Sequence, residues 1–305
     1  MTPGSNGSPS EPLARYRSAM ASPNNEQFAR AAEDVCAKHG LTFGKLAGSG
    51  SFKHTFLTTS ADNTPKAVKI YKSSTSARIE REVSAIQRCN HPNIVRFDMI
   101  GKIDSRKTLF TYTIEEYISG GTLSARLAQG PLEIDDVKRV GKALISAISH
   151  IETLDLVHRD IKPDNIMLRK EDSSPVLLDF GLVRDLQQSS LTKTWAMQGP
   201  GTPYYASPEQ LNNEKHQIDW RTDQFALGVV LTICGMGYHP YDDRTTSEDD
   251  FIDNVAKRDD PTQSFVNWAK KNSLEQLVRM VQPWSVQRYR TPGDLAAAWA
   301  AEILS

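Results

Sequence analysis

An aspartate, a lysine and an asparagine stand close together in His158-Arg159-Asp160-Ile161-Lys162-Pro163-Asp164-Asn165, and Asp179-Phe180-Gly181 follows downstream. A carboxylate at Asp160 can orient an incoming hydroxyl and accept its proton. The ammonium group of Lys162 can neutralise a phosphoryl group in transfer. The oxygens of Asn165 and Asp179 can hold Mg²⁺ on nucleotide phosphates. Phosphoryl transfer is the chemistry that these residue types, in this order, point to.

Two weaker signals lie upstream. The turn Gly48-Ser49-Gly50-Ser51-Phe52 falls between strand-like runs, and its glycines would let backbone N–H groups come close to phosphate oxygens. By itself it is only a turn. Ala67-Val68-Lys69 puts a lysine in an apolar strand, where an outward, solvated position is the ordinary outcome. Both gain weight only beside the segment around Asp160.

From about Leu41 to the C-terminus the chain resembles the eukaryotic-like (Hanks-type) serine/threonine protein kinases, in texture closest to bacterial members. The resemblance implies an α+β, bilobal protein-kinase fold. Its N-lobe would be a small antiparallel sheet with one main helix, and its C-lobe larger and mostly helical. It implies ATP with Mg²⁺ or Mn²⁺, and Ser or Thr hydroxyls of protein substrates as acceptors. By the same resemblance Lys69 contacts the ATP phosphates and pairs with Glu82, nine residues before His91; Glu80 fits that spacing less well. Asp160, Lys162, Lys69 and Glu82 are then the catalytic set, and Asn165 and Asp179 the metal ligands. The ATP-binding set is Gly48, Ser49, Gly50, Ser51, Phe52, Lys53, Thr55, Ala67, Lys69, Glu116, Ile118 and Met167, with Ala67 and Met167 on either side of adenine.

Further positions follow from the same register. Ser207-Pro208-Glu209 closes the activation loop, with Arg288 placed to pair with Glu209, and Asp223 holds the catalytic-loop backbone. Ile86, Phe97, His158 and Phe180 match the hydrophobic column of the active state. Lys162, together with Thr202 as a substrate-positioning residue, favours Ser/Thr over Tyr acceptors. Arg159 calls for an anionic partner, which a phosphate on Thr192 or Thr194 would supply. Ser189 and Ser190 are weaker candidates.

Two places depart from the family. Lys53 replaces the third glycine of the phosphate loop, and Thr55 takes an apolar adenine-capping position. At the hinge, aligning Glu116-Tyr117-Ile118 with the adenine linker leaves two alternatives open. Either Glu115 occupies the normally uncharged gatekeeper position, or a one-residue bulge gives it to Ile114 and turns Glu115 outward. These departures keep a pseudokinase or nucleotide-binding scaffold as the alternative. A small-molecule kinase fits less well, because Glu209 follows Gly-Thr-Pro in an activation segment.

The elements that must position these residues are legible in outline. Strand-like runs cover Phe43–Leu46, His54–Thr58, Lys66–Tyr71, Ile94–Ile100 and Thr108–Ile118, and helical periodicity covers Glu26–Lys38, Arg78–Cys89, Val137–Leu154 and Asp223–Cys234. The expected division is a disordered segment at 1–25, a helical extension at 26–40 and a kinase domain at 41–305. Its N-lobe would run over about 41–118 and its C-lobe over about 119–305.

The 305 residues carry 24% charge and a formal net charge of −1, so no bulk field favours nucleic acid. Three scattered cysteines, no signal-peptide shape and no apolar run of membrane-spanning length suggest a cytoplasmic chain. Protein substrates, and a transient homodimer for trans-autophosphorylation, are the partners expected.

Overall fold

Alternating side chains give each strand two faces, and here both faces of one sheet are used. The computed structural model describes residues 23–49, 53–71, 87–178, 184–185, 203–245 and 247–303. Strands β1 (Thr42–Ser49), β2 (Lys53–Thr59), β3 (Pro65–Tyr71), β4 (Phe97–Ser105) and β5 (Thr108–Glu116) form an antiparallel sheet in the order β1-β2-β3-β5-β4. Cross-strand register sets Thr55, Lys69 and Thr113 side by side, and next to them Leu57, Ala67 and Glu115. Residues directly opposite share a face. The intervening Phe56, Val68, Ile70, Phe110, Tyr112 and Ile114 make the other face, and they are buried.

Helix α1 (Pro23–His39) covers that second face. Phe28, Ala31, Ala32, Val35 and Cys36 recur on one side of it and pack into the sheet. The Phe28 ring stacks on His54 with centroids 4.2 Å apart, and His39 Nε2 lies 2.6 Å from the Tyr112 hydroxyl. The helix starts at Pro23, earlier than the apolar periodicity suggests. Proline suits a first turn, where its missing N–H costs no hydrogen bond. The helix stops at Gly40, whose φ of +65° disfavours side chains, and the Leu41 N–H returns to the Cys36 carbonyl at 2.9 Å.

The helical part contains α2 (Leu123–Leu127), α3 (Ile134–Glu152), α4 (Pro208–Leu211), α5 (Trp220–Met236), α6 (Glu248–Lys257), α7 (Gln263–Lys271), α8 (Glu275–Met280) and α9 (Pro292–Ile303). Two short ribbons join them: β6 (Leu156–Val157) pairs with β9 (Arg184–Asp185), and β7 (Ile166–Leu168) with β8 (Pro175–Leu177). Helix α5 is apolar and buried along nearly its whole length, so its hydrophobicity is spent on a protein core. No helix among the described residues is long and apolar enough to cross a membrane. Helix α9 docks on α3 where Trp299 lies over Gly141 and donates its indole N–H to the Lys138 carbonyl at 3.0 Å.

The described residues up to 71, with Arg96–Tyr117, form one compact unit; those at 87–95 and from 118 onward form the other. One unit is built on the sheet and the other is mostly helical, as the resemblance implies. The run Ile94–Ile100 reads as one strand, yet β4 begins at Phe97. Ile94 instead bridges Leu177, the Val95 N–H bonds the Leu177 carbonyl at 3.0 Å, and Val95 packs with Ile118 and Val176. Ile118 is likewise outside β5. Apolar character continues through these positions, while the partners change from one core to the other.

Candidate active site

Lys69 sits mid-strand in β3, flanked by β2 and β5. Its Nζ is 2.6 Å from Glu115 Oε2, with the two side chains 6% and 3% exposed. The Thr113 hydroxyl donates to Glu115 Oε1 at 2.8 Å. The sequence left Glu115 and Ile114 as alternatives for the inward position. The β3–β5 register runs without a break, and the irregularity lies across from it in β4, between Phe97 and Met99. Ile114 therefore joins the face under α1, and Glu115 shares the face of Lys69. A lone buried carboxylate would cost several kcal/mol, roughly, in lost hydration; the ammonium and the hydroxyl offset that cost.

The other described candidates on this unit belong to the same sheet. Ala67 is buried opposite Glu115, and half-buried Thr55 stands opposite both Lys69 and Gly48. Lys53 opens β2, and the Ser49 hydroxyl is 3.2 Å from His54 Nε2. The Glu116 N–H bonds the Arg96 carbonyl at 2.9 Å. Gly50, Ser51, Phe52, Glu80, Glu82 and Ile86 lie outside the described residues.

In the helical unit the segment His158–Asn165 is held by its main chain. Arg159 has a φ of +68°, in the left-handed region that a Cβ disfavours. Asp223, at the start of α5 and buried, accepts the N–H groups of both His158 and Arg159 at 2.7 Å each. Burial pushes the Asp223 carboxyl above its usual range, against the pull of His158 and of those two N–H groups. His158 is buried, with Nε2 2.9 Å from the Leu178 carbonyl.

This frame presents Asp160. Its Oδ2 is 3.0 Å from Lys162 Nζ. Asn165 donates through Nδ2 to the Asp160 carbonyl and to Oδ2, both at 2.8 Å. Since the amide nitrogen is turned to Asp160, the amide oxygen of Asn165 remains as an acceptor. Met167, in β7, packs against the cluster of Val95, Ile118 and Val176. Asp179, Phe180, Ser189, Ser190, Thr192, Thr194 and Thr202 lie outside the described residues.

A carboxylate, an ammonium group and an amide side chain thus meet on one loop held by its main chain. The family described as Protein kinase domain matches residues 41–288. The chain belongs to this family. It is 29% identical over 266 residues to CBL-interacting serine/threonine-protein kinase 19 of Arabidopsis thaliana, covering 84% of this chain and 52% of that one. It is 31% identical over 211 residues to CBL-interacting serine/threonine-protein kinase 12 of Arabidopsis thaliana, covering 66% and 41%. The same identity and length hold for CBL-interacting protein kinase 19 of Oryza sativa subsp. japonica, with 66% and 40% covered. The matched part thus spans two fifths to about half of these relatives' length.

Other family positions are also brought together. Arg288 donates to both carboxylate oxygens of Glu209, at 2.8 and 3.1 Å, with both side chains sealed from solvent. The Thr222 hydroxyl adds a third bond at 2.9 Å. Burial raises the Glu209 carboxyl, but Arg288 and Thr222 outweigh it and leave it below its ordinary value. Gln210 was not singled out by the sequence; it is buried and donates to the Arg159 carbonyl at 3.0 Å. Only its place directly after Glu209 hinted at a role. Cys36, Cys89 and Cys234 are thiols outside any disulfide, pushed up by burial to about 11, 11 and 12. That makes them poor nucleophiles. No group of three or more His, Cys, Asp or Glu among the described residues could hold a metal ion. A cation carried on nucleotide phosphates needs only one or two protein oxygens.

Proposed function

We propose that the chain is a serine/threonine protein kinase that uses Mg–ATP, with Mn²⁺ as a substitute, to phosphorylate protein substrates and its own activation loop. The observation that carries this reading is the bonding of Asp160 to both Lys162 and Asn165 on a loop fixed by Asp223. Mg–ATP supplies the phosphoryl group, and its metal shields the phosphate charge. Asp160 orients the acceptor hydroxyl and takes its proton. Lys162 faces the charge that passes to the acceptor, and the amide oxygen of Asn165, with Asp179, receives the metal. Lys69, directed by Glu115, is the residue for the phosphates, and Ala67, Thr55 and Met167 are the residues for the base. Glu116 and Ile118 belong to the adenine linker, Gly48–Lys53 to the phosphate loop.

The finer reading follows from the same residues. The kinase domain takes in 41–305, and helix 23–39 is an extension of its small unit. Autophosphorylation of Thr192 or Thr194 proceeds in trans, within a transient homodimer, and gives Arg159 its anion. The relatives' names give each of them CBL as an interaction partner; for this chain the reading extends to protein partners as a class. Three cysteines outside any disulfide fit a reducing, cytoplasmic setting.

The test is incubation with Mg–ATP and a mixed Ser/Thr/Tyr peptide library, with phosphosites mapped by mass spectrometry. The wild type labels Ser or Thr, and Asp160→Asn labels nothing while still binding a fluorescent ATP analogue. Nucleotide binding by a wild type that transfers no phosphate leaves the scaffold reading in its place.

A further inference from the structure

Asp160 hangs from one peptide unit, the one that joins it to Arg159. A peptide is planar, so holding that unit at both ends fixes the two dihedrals beside it, ψ of Arg159 and φ of Asp160, and with them the direction of the Asp160 side chain. The unit is held at both ends. At its oxygen, the Arg159 carbonyl accepts Gln210 Nε2 at 3.0 Å; at its nitrogen, the Asp160 N–H reaches His158 Nδ1 at 3.3 Å. The preceding peptide is held separately, through the Arg159 N–H on Asp223. Arg159, in a left-handed conformation, thus has its N–H and its carbonyl pinned by two different elements.

Gln210 is 5% exposed and belongs to α4, far from Asp160 in sequence. Its amide works in two directions. Oε1 accepts the Ser207 N–H at 3.2 Å and the Ser207 hydroxyl at 3.3 Å, while Nε2 is directed to Arg159. A residue that only capped α4 would need the oxygen alone. The nitrogen ties the start of α4 to the peptide that carries the base.

We propose that Gln210 is a positioning residue for Asp160, acting through the Arg159 carbonyl. The role rests on the kinase reading for its kinetic consequence, since a small displacement of a catalytic group lowers turnover steeply. It transmits the state of the segment entering α4 to the base, without touching substrate or nucleotide.

Three variants separate this role from simple capping. Gln210→Glu keeps the acceptor for Ser207 and loses the donor to Arg159; Gln210→Met loses both; Ser207→Ala weakens the cap and leaves the donor in place. The first two lower kcat about tenfold with KM for ATP within about twofold, and Ser207→Ala keeps kcat near wild type at a lowered Tm. Hydrogen–deuterium exchange of a peptide covering 158–165 provides a readout independent of activity. Exchange rises in both Gln210 variants and not in Ser207→Ala. Wild-type kcat and unchanged exchange in Gln210→Glu overturn the proposal. So does a kcat loss in Ser207→Ala equal to that in Gln210→Met. An inactive wild type whose 158–165 exchange still rises in Gln210→Glu rejects the kinase reading and keeps the clasp.

Discussion

Lys69 and Glu115 meet at 2.6 Å on neighbouring strands, each side chain almost sealed from water. A lysine that the sequence pairs with an acid from another segment therefore has a carboxylate on its own sheet. Strand register fixes that partner: Lys69 stands opposite Thr113, and Thr113 donates to Glu115.

Removing one side of this pair leaves the other charge buried. Glu115→Met is expected to lower unfolding stability by about 3 kcal/mol. Glu115→Gln, which retains an acceptor for Lys69, loses less and raises KM for ATP several-fold. Urea unfolding and steady-state kinetics on both variants check this. A Glu115→Met protein as stable as wild type would show that the pair contributes nothing.

The proposed mechanism gives the Lys162 ammonium, 3.0 Å from Asp160, a part in turnover. Lys162→Met is expected to reduce kcat by about 100-fold, with KM for ATP changed far less. Equal kcat values for the variant and wild type in a peptide assay would remove Lys162 from the mechanism.

Arg288 and Glu209 form the most enclosed ion pair among the described residues. Arg288→Met strands Glu209 without its cation and should cost about 3–5 kcal/mol; adding Glu209→Gln should recover part of that loss. The pH dependence follows from the depressed Glu209 pKa. Its stabilisation is present above the ordinary carboxyl value of 4.5 and disappears as pH falls through the lower folded value. Chemical denaturation of the single and double variants at pH 7, repeated toward pH 3, measures both effects.

His239 gives a second acid-sensitive point. It is buried among the rings of Tyr204, Tyr241 and Phe251, and its Nδ1 accepts the Tyr241 N–H at 3.2 Å. Burial pushes its pKa from 6.5 down to about 3. Below pH 6.5 the unfolded chain takes up a proton that the folded chain refuses until about pH 3. Stability present above 6.5 is lost across that window, by about 2 kcal/mol at pH 5. In His239→Phe the fall in Tm between pH 7 and pH 5 should shrink. An identical fall in both proteins would count against the burial of a neutral ring.

The grouping around Asp160 was legible because it is contiguous: Asp160, Lys162 and Asn165 bond to one another within one short segment. Gly40 likewise announced the end of α1. The position of Glu115 was not legible, since Phe110 to Glu115 are buried on both faces of β5 and alternation carries no signal there. Register with β3 decided it, and register is a property of two strands. Gln210 was hidden for a similar reason. Its partner lies in a different segment, and a single amide has no periodicity to read. The strand drawn through Ile94 failed because apolar residues do not reveal which core they enter.

Helix α1 precedes the span matched by the family, yet its side chains fill the sheet face opposite Lys69. Because the helix is joined to β1 through Gly40 and Leu41, it faces that surface at the effective concentration of a short tether, on the order of millimolar. A partner helix seeking the same face has to outcompete a ligand that never diffuses away. That face of the sheet is therefore occupied from within the chain itself.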